Sequence, residues 1–208
     1  MRLPFFGGSL KWIGGGMRVT AVKPSRSKGY LVLVLSDNDK ATRYTLREQE
    51  YTDVGSPMRG AELSDEAVES IRLFDEGYRA RIFALRSLSL TDSSERALAR
   101  KLALRGIRPS VVSEVVCEMV SLGYVNESSQ LTAIVDRLAN TDLFGPRRIM
   151  AKLTAKGYSP SAVRSAIDTL RADGSIDFSR SRAELIEKKL TRGATDDEIK
   201  KLLYKYGY

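Results

Sequence analysis

The stretch Gly145–Gly174, GPRRIMAKLTAKGYSPSAVRSAIDTLRADG, decides how the larger part of the chain folds. Ile149 and Leu153 lie four residues apart ahead of Gly157. After it, Val163, Ala166, Ile167 and Leu170 recur at i, i+3, i+4 and i+7, the spacing of one helix face. Pro146 and Pro160 suit the first position of a helix, where a missing N–H costs nothing. Gly157 suits the left-handed residue that closes one. The stretch predicts a helix, a tight glycine turn and a second helix ending near Gly174.

The pattern occurs twice more. Gly106 and Gly193 follow basic residues, Arg105 and Arg192, as Gly157 follows Lys156. Upstream lie Lys101-Leu102 and Lys189-Leu190, matching Lys152-Leu153, with Leu98 and Ile186 matching Ile149. The third copy is one residue shorter between its Leu and its Gly. Downstream of Gly106 the same four positions read Val112, Val115, Val116 and Met119; downstream of Gly193 they read Ile199, Leu202, Leu203 and Tyr206. Thr195 and Glu198 have capping-box spacing. The first two copies each have a further helix in front, at about 78–89 and 127–139. A helix pair cannot bury its stripe alone, so neighbouring units must stack. The expected fold is mostly α: tandem three-helix repeats in an elongated array, with repeats at 78–126, 127–178 and a shortened 179–208.

Ahead of the repeats the period changes from helix to strand. Residues 18–22 alternate, Tyr30–Leu35 is an unbroken β-prone run, and Thr42–Leu46 alternates again. Ser36-Asp37-Asn38-Asp39 between the last two is turn chemistry. Ser64-Asp65-Glu66 then opens a helix whose Ala67, Val68, Ile71 and Phe74 form an apolar stripe. This predicts a small three-stranded β domain with a covering helix over 17–77, with Gly77 as the joint. Residues 1–16, MRLPFFGGSLKWIGGG, read as a flexible tail, since Pro4, Gly7, Gly8 and Lys11 interrupt any apolar signal run.

Composition narrows the chemistry. The 208 residues contain no His and one Cys, with a net charge of +8. Without His, Ser-His-Asp and Cys-His catalysis and most zinc sites are excluded. A single Cys cannot form an internal disulfide, which points to a reducing, cytoplasmic setting. Cys117, between Val116 and Met119, is expected in the core. Gly14-Gly15-Gly16 lacks the Lys-Ser/Thr of a phosphate loop. No run approaches the roughly 18 apolar residues of a membrane span. Neither an enzyme nor a cofactor is expected. The whole charge excess lies beyond Tyr78, so an acidic protein surface or a nucleic acid is the expected partner class.

The candidate contact residues are the cations of the repeat: Arg147, Arg148, Lys152 and Lys156 in the second copy, Lys101 and Arg105 in the first, Lys189 and Arg192 in the third. Arg105, Lys156 and Arg192 sit just before a glycine, where a cation complements the helix dipole by about 0.3–1 kcal/mol. Their placement is explained by folding. Arg147, Arg148 and Lys152 lie in the first half of their helix, where the dipole disfavours cations, and contact with a partner is the better account.

Gly145-Pro146-Arg147-Arg148-Ile149, followed by Lys152-Leu153, Lys156-Gly157 and Ser159, resembles the second helical unit of the RecX family. Leu88-Ser89 through Ser93, Leu98, Lys101-Leu102 and Arg105-Gly106 resemble its first unit, and 181–208 its short third unit. The strands over 17–46 and Leu63-Ser64-Asp65-Glu66 are similar to the β domain of longer members. The resemblance covers about residues 17–208. It implies a monomeric, non-enzymatic bacterial regulator that binds the RecA nucleoprotein filament and restrains recombination and coprotease activity in the SOS response and DNA repair. The alternative reading is a basic helical-repeat module that binds single- or double-stranded DNA, or RNA, directly.

Overall fold

A computed structural model describes residues 17–37, 40–191 and 193–208. The expectations for residues 1–16, Asn38, Asp39 and Arg192 lie outside the described residues. The chain forms two compact units that divide after Ile82.

The first unit opens with an antiparallel sheet of order β1-β2-β3, built from Arg18–Pro24, Tyr30–Asp37 and Lys40–Arg47. The β2–β3 register runs from Tyr30 opposite Arg47 to Asp37 opposite Lys40. β1 carries a bulge between Val19 and Ala21. Alternation sends Val19, Leu33, Leu35, Tyr44 and Leu46 to one buried face. That face is covered by Tyr51 and Val54, at and just beyond α1 (Glu48–Asp53), and by Val68, Ile71 and Phe74 of α2 (Asp65–Leu90). The outer edge of β1 is paired by the 60–63 segment: Val19 N–H donates to Ala61 O at 2.9 Å, and Gly60 N–H to Val19 O at 2.8 Å. On the outer edge of β3, Thr45 N–H donates to the buried Asp75 carboxylate at 2.8 Å and Arg47 N–H to Glu50 at 2.8 Å.

Where the sequence reads a joint at Gly77, α2 continues unbroken to Leu90. Gly77 serves packing there: a Cβ at this position would meet the Arg81 guanidinium at 3.1 Å. The helix α1 carried no stripe long enough to be read in advance. It is held by Glu50, whose carboxylate accepts the Arg47 N–H and lies 3.5 Å from buried Arg81.

The second unit is all helical. Beyond the end of α2 come α3 (Glu95–Ala103), α4 (Pro109–Ser121), α5 (Glu127–Asn140), α6 (Pro146–Ala155), α7 (Pro160–Ala172), α8 (Phe178–Leu190) and α9 (Asp196–Tyr206). Pro stands at the start of α4, α6 and α7, and side-chain oxygens of Ser94, Asn126, Ser159, Asp177 and Thr195 cap five of the starts. Gly106, Gly157 and Gly193 take the left-handed backbone, at φ of 76°, 98° and 74°. In the second repeat Leu131, Val135 and Leu138 of α5 meet Ile149 and Leu153 of α6 and Val163, Ile167 and Leu170 of α7 in one core.

The third copy departs from the expected alignment. Leu190 is 53% exposed, while Leu185 is buried and Lys189 half-buried. The missing residue before Gly193 rotates the helix by one position, about 100°. Lys189 therefore takes the inward place that Leu102 and Leu153 hold. Cys117 is also corrected: it is exposed. The stripe of α4 runs through Val112, Val115 and Met119, and Cys117 falls between its turns.

Candidate partner-binding site

The expected cations are sorted by the structure into held and free ones. Lys101 is half-buried and donates to Ser87 Oγ at 2.9 Å and Ser93 Oγ at 2.8 Å, tying α3 to the end of α2 and the loop between them. Arg105 is exposed but lies over the Phe83 ring, 3.9 Å from its centroid. Lys189 is half-buried at the foot of α8 and faces Glu198. Arg192 lies outside the described residues.

Arg148 belongs with the held group. Its guanidinium donates to the Lys205 carbonyl and stacks on Phe144 at 4.5 Å and Tyr206 at 5.7 Å. The two rings meet edge to face at 5.5 Å. The reason is the approach of α9. Its C-terminal carbonyls run into the N-terminus of α6, where Gly145 N–H donates to Tyr206 O at 2.7 Å. The negative end of one helix dipole meets the positive end of another. Arg148 therefore spans the junction between the second and third repeats and does not stand in the exposed ridge expected of it.

Arg147 and Lys152 of α6 and Lys156 just beyond its end remain exposed. Lys152 is corrected in one respect: it lies in the last turn of α6 and not in its first half, so the helix dipole favours it and only Arg147 opposes the dipole. Lys152 Nζ lies 5.0 Å from the Phe144 centroid. No hydrogen bond or ion pair holds these three side chains among the described residues. The first turn of α6 contains no acid. Arg147 of α6, Phe178, Arg182 and Ile186 of α8, and Tyr208 line a cleft of about 560 Å³. Arg182 was missed by the sequence reading. The argument that singled out Arg147 applies to it as well, since Arg180 and Arg182 are cations in the first half of α8. The repeat alignment directed attention to the glycine ends instead.

Two further contacts set the spacing of the repeats. Ser94 Oγ donates to the Lys156 carbonyl at 3.1 Å, and Glu95 N–H to Glu127 at 2.8 Å. Tyr158 is buried and donates to Gln130 at 3.0 Å; burial raises its pKa, with Glu127 and Asp92 adding to the shift. Among the described residues no group of acids and Cys could hold a metal ion, and no helix is long and apolar enough to cross a membrane.

The start of α9 is closed by a titratable group. Glu198 accepts the Thr195 N–H at 2.9 Å and donates its own N–H back to Thr195 Oγ1 at 3.4 Å. The backbone hydrogen bond, with the Thr195 hydroxyl and Lys189, holds the carboxyl below its usual range. A depressed native pKa contributes stability above the unfolded value and loses it as pH falls through the native one. The amides at the start of α9 are therefore expected to lose hydrogen-exchange protection as pH drops below the usual glutamate range. Glu198→Gln is expected to remove that pH dependence. Unchanged dependence in the variant would assign the transition to another group.

No family model matches the chain. Regulatory protein RecX of Caldanaerobacter subterraneus subsp. tengcongensis is 25% identical over 150 residues, spanning 72% of this chain and 74% of that protein. Regulatory protein RecX of Clostridioides difficile is 30% identical over 136 residues, and the match spans 63% of each chain. A crystal structure of regulatory protein RecX superposes with a TM-score of 0.69 at 19% identity, covering 92% of this chain and 94% of that one. RecX from Lactobacillus salivarius superposes with a TM-score of 0.56 at 21% identity, over 64% of this chain and 89% of that one. The β unit followed by helical repeats is thus a fold shared with solved RecX structures.

Proposed function

Because the chain belongs to the RecX family of regulatory proteins, we propose that it binds the RecA–DNA filament and restrains strand exchange and the filament's coprotease role, without catalysing a reaction itself. One observation supports this reading above the others. Arg147 and Lys152 are exposed cations on α6 with no acidic partner among the described residues. Arg147 stands in the first turn, where a positive charge opposes the helix dipole. Folding does not account for it, whereas an acidic partner surface does. Arg182 enlarges the same basic surface.

The test is Arg147→Glu combined with Lys152→Glu. Arg148 is left intact, because reversing it would break the α6–α9 junction and confuse folding with binding. Both replaced side chains are exposed, so stability should change by no more than about 0.5 kcal/mol. Inhibition of RecA strand exchange and co-sedimentation with RecA filaments should each fall about tenfold or more, since charge reversal removes both steering and contact. A folded variant that inhibits like the parent would exclude this surface. Loss of binding to bare DNA with inhibition intact would favour direct nucleic-acid binding by the helical repeats.

A further inference from the structure

The first unit is electrically two-sided. Residues 17–47, which form the sheet, hold seven Lys and Arg against two Asp, whereas residues 48–77, which form its helical cover, hold two against nine Asp and Glu. The chain's net charge hides this separation.

The cations are not scattered over the sheet. With one face buried under α1 and α2, alternation sends the other residues outward. Ala21, Val34 and Arg43 pair across the three strands in one row, and Lys23, Val32 and Thr45 in the next. Val32 and Val34 are half-buried, and Lys23 and Arg43 are exposed. Arg18, beside Ser36 in the register, pairs with Glu62 at 2.7 Å. Lys23 and Arg43 have no hydrogen bond or ion pair among the described residues. The two outer strands lie roughly 10 Å apart, so these two charges flank a flat aliphatic strip. Strand position fixes them on a rigid support.

We propose that this open sheet face docks duplex DNA, holding the phosphate backbone through Lys23 and Arg43. The charge calls for a polyanion. The strip between the cations is aliphatic, and the ring of Tyr30 is engaged with Tyr78 at 5.1 Å. Single-strand binding draws on aromatic platforms for base stacking, which this strip does not offer. A flat face with charges at its margins fits the densely charged outside of a duplex, one charge per roughly 1.7 Å of axis. Contact of this kind is indifferent to sequence. The sheet belongs to the first unit and α6 to the second, and the proposal does not depend on filament binding.

The experiment uses the full chain and a fluorescent duplex of roughly 20 base pairs, titrated across salt, with a single strand of equal length and polyglutamate as further probes. Lys23→Glu with Arg43→Glu is expected to weaken duplex binding about tenfold near 50 mM salt and to lower the log–log salt slope by about two, one unit for each lost phosphate contact. Single-strand and polyglutamate binding should change far less. An unchanged duplex affinity and slope would overturn the proposal. An equal loss toward the single strand would overturn the duplex assignment, and an equal loss toward polyglutamate would point to an acidic protein instead. If the reversal impairs folding, Lys23→Gln with Arg43→Gln keeps the test: the slope should still fall by about two, and an unchanged slope overturns the proposal.

Discussion

Replacing Leu153 by alanine is expected to lower the stability of the protein by about 2–5 kcal/mol in urea unfolding. Leu153 is fully buried, in the core where α5, α6 and α7 meet. Truncation removes three carbons from water-free surroundings and leaves a cavity. Collapse onto that cavity is resisted from both sides. Ile149 and Val163 are themselves fully buried, and the turn that follows is pinned by the Ser94–Lys156 hydrogen bond. A loss below about 1 kcal/mol would mean that the site relaxes freely and that the α6 register is wrong. The same substitution at Leu190, the position aligned with Leu153 by its sequence neighbours, should cost far less, because that side chain is 53% exposed.

Gly207→Ala is expected to be comparably damaging for a different reason. Gly207 adopts φ +87°, which carries about 1–3 kcal/mol of strain for a residue with a side chain. Its Cβ would also fall 2.4 Å from the Arg148 backbone nitrogen. Backbone cannot rotate away as a side-chain tip can. The end of α9 must then lift from the start of α6, which opens the Gly145–Tyr206 hydrogen bond and withdraws Tyr206 and the Lys205 carbonyl from Arg148. Thermal melting and exchange of the Gly145 amide would report this. A variant that keeps both the parental melting temperature and protection at Gly145 would show that α9 is not fastened there. Gly193→Ala offers a comparison, since its φ of +74° brings the same conformational strain with nothing within 4 Å of the added Cβ.

These contrasts show which parts of the architecture were legible in the residues. Spacing such as Val163, Ala166, Ile167 and Leu170 reveals a helix face because burial repeats with the helical period. Gly157 and Gly106 reveal turns because few other residues take that backbone. The hairpin was legible from the unbroken β-prone run Tyr30–Leu35, the turn chemistry after it and the period-two alternation of Thr42–Leu46. The α1 helix was not, because Glu50 and Arg47 hold it by polar contacts that leave no apolar stripe. The unbroken α2 was not, because Gly77 usually marks an end, and only the close approach of Arg81 makes its missing side chain useful inside a helix. For the basic residues, sequence gave position along a helix but not what faced it. Arg147 and Arg148 are neighbours in the chain, yet a step of about 100° turns one to solvent and the other onto Phe144 and Tyr206. Arg182 became significant only when folding brought α8 beside α6.

The bonds that cross between repeats have a consequence for how the helical unit comes apart. A stacked array is a short one-dimensional lattice, in which intrinsic repeat stability competes with coupling to the nearest neighbour. Here the coupling passes through backbone atoms: the Lys156 carbonyl takes the hydroxyl that caps α3, and the Tyr206 carbonyl takes the amide that opens α6. Each links the boundary of one helix to that of a helix in the adjacent repeat, at separations of 62 and 61 residues. Fraying at either end of the lattice therefore removes a cap from its neighbour, and the third repeat, too short to hold a full core of its own, borrows its persistence from the second.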